Sequence, residues 1–105
     1  LTLWDRISNV DGVICLALIH HICIGNNVPI AEFIKFLFSF TNKVLIEFVP
    51  KADPMVKGLL TNRADIFTDY NENSFEKEIL KYAKIHNINE LKGSTRKLYE
   101  CQSKL

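Results

Sequence analysis

At 105 residues, with 48% hydrophobic and 24% charged side chains, the chain has the size and make-up of one domain with a single modest core, which excludes intrinsic disorder. Thirteen basic against twelve acidic residues give a formal charge of +1 with no basic run, which argues against nucleic acid as a partner. Residues 13 to 24 are apolar apart from one histidine pair, a stretch shorter than the roughly 20 residues that cross a bilayer, so no membrane span is expected. Cys15, Cys23 and Cys101 are odd in number and fit no CxxC spacing, the usage of reduced thiols in a cytoplasmic protein. Leu1 opens the chain without a charged leader and without an initiator methionine, which reads as a fragment rather than a secretory precursor.

After an irregular lead containing Trp4, the run Val13 to Ile19 is continuously apolar and ends on His20-His21. A strand buried on both faces reads this way, and open α/β sheets bind ligands just beyond the carboxyl ends of such strands. Gly25-Asn26-Asn27 then breaks the chain. Pro29 suits a first helical turn, and Ile30, Phe33, Ile34, Leu37 and Phe38 follow at helical spacing, so a core-facing helix is expected here. Phe36 and Phe40 lie off that stripe, either as a broad core contact or as a subunit interface.

Val44 to Val49 has strand composition and is closed by Pro50. Strand, helix, strand predicts a parallel pair. Asp53 before Pro54 offers a side-chain acceptor followed by a residue with no amide to satisfy, and Met55, Val56, Leu59 and Leu60 give a short helix to about Asn62. Past the polar stretch Asn71 to Ser74, Asn73 and Glu76 are spaced like a capping box ahead of Phe75, Ile79, Leu80 and Ala83. Ile85 to Leu91 and Arg96 to Gln102 flank Lys92-Gly93-Ser94-Thr95 and predict an antiparallel hairpin.

The ordered set DGVICLALIHHICIGNNVP, a helix, VLIEFVPKADPMV, a second helix and a terminal hairpin resembles the C-terminal half of a class I S-adenosylmethionine-dependent methyltransferase. The resemblance implies a three-layer, partial Rossmann-like α/β sheet holding strands four to seven of that fold in the order 4-5-7-6. It also implies that the segment ending in His20-His21 lies where cofactor and substrate meet. The family holds its cofactor with a Gly-rich loop after strand one and an acidic residue after strand two. Gly12, Gly25, Gly58 and Gly93 are dispersed and form no such loop. Tight binding of S-adenosylmethionine by this chain alone is therefore not expected. What carries over is His20 and His21 as catalytic candidates, Leu18 and Ile19 as cofactor contacts and Glu47 as a substrate contact.

Each residue has a plainer structural reading beside it. On a strand His20 and His21 point to opposite faces, so at most one serves a given site, as a base or hydrogen-bond donor near neutral pH, and a histidine satisfied by backbone groups is the alternative. Glu47 reads more simply as a carboxylate at an exposed strand end. Asp53 reads as a cap, Cys15 and Cys23 as small core residues. Arg63, Asp65, Asp69 and Tyr70 read as a solvated loop that could face substrate. A metal site from the histidine pair, Cys23 and His86 would need a His-His-x-Cys spacing that zinc proteins do not customarily use.

Two function classes follow: the C-terminal part of a methyltransferase, supplying the substrate side of the site and inactive alone, or a noncatalytic α/β assembly or binding module. The methyl acceptor cannot be read from these residues. In the family arrangement Val13 to Ile19 would have one unpaired edge, with no lysine or proline to discourage pairing, so self-association through this strand is expected.

Overall fold

The computed structural model describes residues 12–61 and 64–104. Four strands form one mixed sheet: β1, Gly12–Cys15; β2, Lys43–Phe48; β3, Ala83–Glu90; and β4, Lys97–Ser103, in the order β1-β2-β4-β3. The first two are parallel, with Ile14 opposite Leu45 and Cys15 opposite Ile46. The last two form an antiparallel hairpin whose returning strand inserts beside β2, placing Ile46 opposite Tyr99. At the hairpin loop Gly93 takes φ 76°, a left-handed conformation in which glycine meets no Cβ clash, and the Ser94 amide closes the turn on the Leu91 carbonyl at 3.0 Å.

Three helices connect the strands: α1, Ile30–Phe40; α2, Pro54–Leu60; and α3, Glu72–Tyr82. In α1 the buried residues are Ile30, Phe33, Ile34 and Leu37, the stripe the sequence predicts. Asp53 caps α2, accepting the Met55 amide at 3.0 Å, with Pro54 in the first turn. The expected end near Asn62 lies outside the described residues, as do Trp4 and Arg63. The cap of α3 is Asn71 rather than Asn73, because the Asn71 side chain accepts the Ser74 amide at 2.8 Å and the helix already runs from Glu72. Both asparagines precede an apolar run, and only backbone placement selects between them.

The helices α1 and α3 lie side by side on one face of the sheet, Phe38 stacking on Tyr82 with ring centroids 6.2 Å apart. Phe75 of α3 meets Phe48 and Tyr99 of the sheet in an aromatic cluster, its ring centroid 4.8 Å from Phe48 and 4.9 Å, edge-on, from Tyr99. Val44, Ile46, Phe48, Tyr99 and Cys101 alternate inward along β2 and β4, whereas Leu45 and Leu98 between them are only half-buried and Glu100 and Gln102 are exposed. The described residues therefore form an α/β unit in which α1 and α3 cover the inward-facing side chains of a four-stranded mixed sheet. The outer strand β3 is exposed over most of its length, carries Lys84 and Glu90, and has a register shift between Ile85 and Asn87, features that blunt an edge.

The first strand departs most from expectation. It stops at Cys15, four residues short of Ile19. Ala17 takes φ 52°, a left-handed conformation unfavourable for a residue with a Cβ. The chain then turns into a helical segment that continues as a π-helix over His21–Gly25, where the Asn26 amide bonds the His21 carbonyl at 3.0 Å. Leu18, Ile19, His20 and His21 are thus on a turn and a helix start, not on a strand. Apolar runs of this length do not distinguish a buried strand from a short strand followed by a buried turn.

Candidate functional site

Beyond the carboxyl ends of the parallel pair β1 and β2, four polar side chains from three parts of the chain converge. Glu47, next to last on β2, is buried, and its Oε1 accepts the Ala17 amide at 2.9 Å. The same oxygen accepts from Nη1 of Arg96 at 3.2 Å. Arg96, just ahead of β4, also sends Nε to Asp53 Oδ2 at 2.9 Å and Nη2 to Asp53 Oδ1 at 3.4 Å. Thr95 adds its hydroxyl to Asp53 Oδ2 at 3.0 Å. One guanidinium thus joins the end of β2, the start of α2 and the hairpin, a geometry suited to the planar fork of arginine. The Arg96 hydrogen bond, with those from Met55 and Thr95, holds the Asp53 carboxyl at about 2, well below the usual carboxylate range, despite its burial.

His20 is 1% exposed, and neither ring nitrogen has a hydrogen-bond partner among the described residues. Its ring lies 4.1 Å from that of His21, tilted by 38°. An imidazole with two unsatisfied polar atoms in a buried place is uncommon in a native fold. Burial lowers its affinity for a proton, as do His21 and Arg96, while Asp53 and Glu47 oppose them, the net direction favouring the neutral ring. A neutral, desolvated imidazole can accept a proton or a hydrogen bond from a bound group.

The sequence-predicted residues divide accordingly. His20 and Glu47 are brought to one end of the sheet, but Glu47 is not the exposed strand-end carboxylate of the plainer reading, because Arg96 and the Ala17 amide draw it inward. His21 is exposed beside His20, Ile19 is wholly buried in the core and Leu18 is 38% exposed. Arg96 and Thr95 were passed over by sequence reasoning as hairpin residues; their nearness to Asp53 spans 43 and 42 positions and leaves no local signal.

Elsewhere, Asp65 pairs with Lys51 at 2.9 Å and accepts the Phe67 amide at 3.1 Å. Tyr70 is not part of a solvated loop but is buried against Phe48, its hydroxyl donating to the Val49 carbonyl. A shallow cleft beside it is lined by Cys23, Val28, Phe67, Asp69 and Tyr70. Cys15, Cys23 and Cys101 are free and buried, and burial pushes the Cys23 and Cys101 thiols up to about 12, so they are unreactive as nucleophiles. His86 lies on β3 with Gln102 at 3.1 Å and does not join His20, and no cluster of metal-ligating side chains occurs among the described residues. No helix among them is long and apolar enough to cross a membrane.

The chain is 42% identical over 91 residues to nodulation protein NoeA of Rhizobium meliloti (strain 1021). The match takes in 87% of the chain but only 19% of that protein, so the chain spans about a fifth of the relative's length. No family model and no solved structure matches the chain.

Proposed function

We propose that the chain is the C-terminal portion of a class I S-adenosylmethionine-dependent methyltransferase, supplying the substrate side of the site. The observation that carries this reading is the sheet order: a parallel pair, then a terminal hairpin whose last strand inserts next to the second, matching 4-5-7-6 in family terms. The buried His20, whose ring nitrogens have no hydrogen-bond partner among the described residues, stands at the carboxyl end of the parallel pair and supports it, since ligands of open α/β sheets are bound there. The name of the relative speaks of nodulation and not of a reaction, so the chemistry rests on fold and site. In this reading His20 accepts a proton from the methyl acceptor, His21 flanks it, the exposed Leu18 borders the cofactor with Ile19 packed in the core behind it, and Glu47 lies on the acceptor side. Fixed polar contacts for the cofactor's ribose and carboxylate must come from a Gly-rich loop and an acidic residue outside these 105 residues. Calorimetry should show no S-adenosylmethionine binding by the chain alone and a dissociation constant on the order of micromolar in a longer polypeptide carrying such a loop upstream. Micromolar binding by the chain alone would overturn the division of the site, and none by the longer polypeptide would overturn the methyltransferase reading.

The assembly reading draws on a different observation. Strand β1 stands at one end of the sheet order, and Leu16 just beyond it is 54% exposed, as are Phe36 at 61% and Phe40 at 56% on α1. A second copy could pair along β1. Light scattering at micromolar concentration should then report a dimer that Leu16→Lys weakens; a monomer at all concentrations removes this reading.

A further inference from the structure

We infer that Arg96 is a positioning residue for the His20 site: through Glu47 it holds the left-handed turn at Ala17 and so sets where His20 stands. The inference rests on the site reading above, because it concerns how that site is built, and it makes no use of the reaction.

The contacts form a chain. Arg96 Nη1 and the Ala17 amide both donate to the same oxygen, Glu47 Oε1, at 3.2 Å and 2.9 Å. Ala17 at φ 52° is the point where the path of β1 is broken, three residues before His20. A non-glycine residue keeps such a conformation only where its surroundings over-determine it, and the Ala17 amide donates to Glu47. Glu47 in turn is 8% exposed, and the cation beside its buried carboxylate is Arg96. Arg96 is itself anchored by two further bonds to Asp53 at the start of α2, and Thr95 braces that carboxylate. The guanidinium therefore transmits the position of α2 and the hairpin to the exit of β1. Lysine carries the same charge with its three donors on one nitrogen, and lacks the planar fork whose separate nitrogens meet Glu47 and Asp53.

The test compares Arg96→Lys with the unaltered chain by NMR, reading amide exchange at Ala17 and the pH titration of the His20 ring, with amides of α3 as the check that the variant is folded. The charged and titratable groups near the ring are His21, Arg96, Asp53 and Glu47, and Arg96→Lys leaves all four charges in place. A purely electrostatic or generally structural role for Arg96 would leave both readouts unmoved in a folded variant. Positioning predicts at least tenfold faster exchange at Ala17 and a His20 titration displaced upward toward that of an ordinary histidine, as the loosened turn admits water to the ring. Unchanged exchange and titration in folded Arg96→Lys would overturn the inference. Should that variant not fold, Glu47→Asp, which keeps the charge but is one methylene too short to reach both donors, decides in the same way: acceleration at Ala17 supports the relay and unaltered exchange refutes it. Failure of the methyltransferase reading would appear in the calorimetry and leave these two readouts standing.

Discussion

Replacing Phe75 by alanine should destabilise the domain by about 3–5 kcal/mol, read as a fall in the denaturation midpoint without a change in slope. Phe75 is fully buried, lies between Phe48 on β2 and Tyr99 on β4, and ties α3 to the two central strands. The loss combines the transfer free energy of the ring with a cavity the flanking rings cannot close, since both are held elsewhere: Phe48 stacks on Tyr70 at 5.2 Å and Tyr99 bonds Glu76 through its hydroxyl at 2.6 Å. A loss of this size takes most of the stability of a domain this small. Phe36→Ala, at a side chain 61% exposed, should change stability by less than about 0.5 kcal/mol, and a large effect there would show that Phe36 is covered in solution.

Arg96→Leu should cost about 2–4 kcal/mol and also change the response to acid. Removing the guanidinium leaves Glu47 and Asp53, with side chains 10% and 7% exposed, without their cation; the expected cost is kept below that of a fully dry pair because Arg96 is itself 21% exposed. The pH dependence follows from Asp53. Its folded value of about 2 lies below its ordinary 3.8, so the stabilisation is fully present above about 4 and is lost as pH falls through the interval toward 2. Since the Arg96 hydrogen bond is the largest cause of that depression, the acid-sensitive interval should shrink in Arg96→Leu. Urea denaturation at pH 6 and at several points between pH 4 and pH 2 measures both effects. An equal loss at every pH would show that Asp53 is held down by Met55 and Thr95 without Arg96.

The helices and strands whose pattern repeats locally were legible in the chain. The Ile30, Phe33, Ile34, Leu37 stripe gave α1, Asp53-Pro54 gave the start of α2, and the apolar runs around Lys92 to Thr95 gave the hairpin, because each depends on periodicity or on a capping side chain within a few residues. The parallel pairing of β1 and β2 followed from strand, helix, strand order. His20 and Glu47 were also singled out, the one by interrupting an apolar run and the other by its place in a strand.

What tertiary structure alone decided is where the first strand ends and what the polar residues do. Cys15 to Ile19 carries as much apolar character as a strand needs, yet the strand stops at Cys15, because Glu47, 30 positions away, captures the Ala17 amide and holds a turn that local propensity disfavours. That turn converts His20 and His21 from opposite-facing strand residues into neighbours whose tilted rings lie 4.1 Å apart. Arg96 reads in sequence as one more charged residue at a hairpin, and it becomes the link between β2 and α2 only when the last strand inserts beside β2. Periodicity and capping act over a turn or two of chain and so are written in neighbouring residues. Ion pairs and backbone captures between distant segments are fixed by the closing of the sheet, and no spacing in the sequence encodes them.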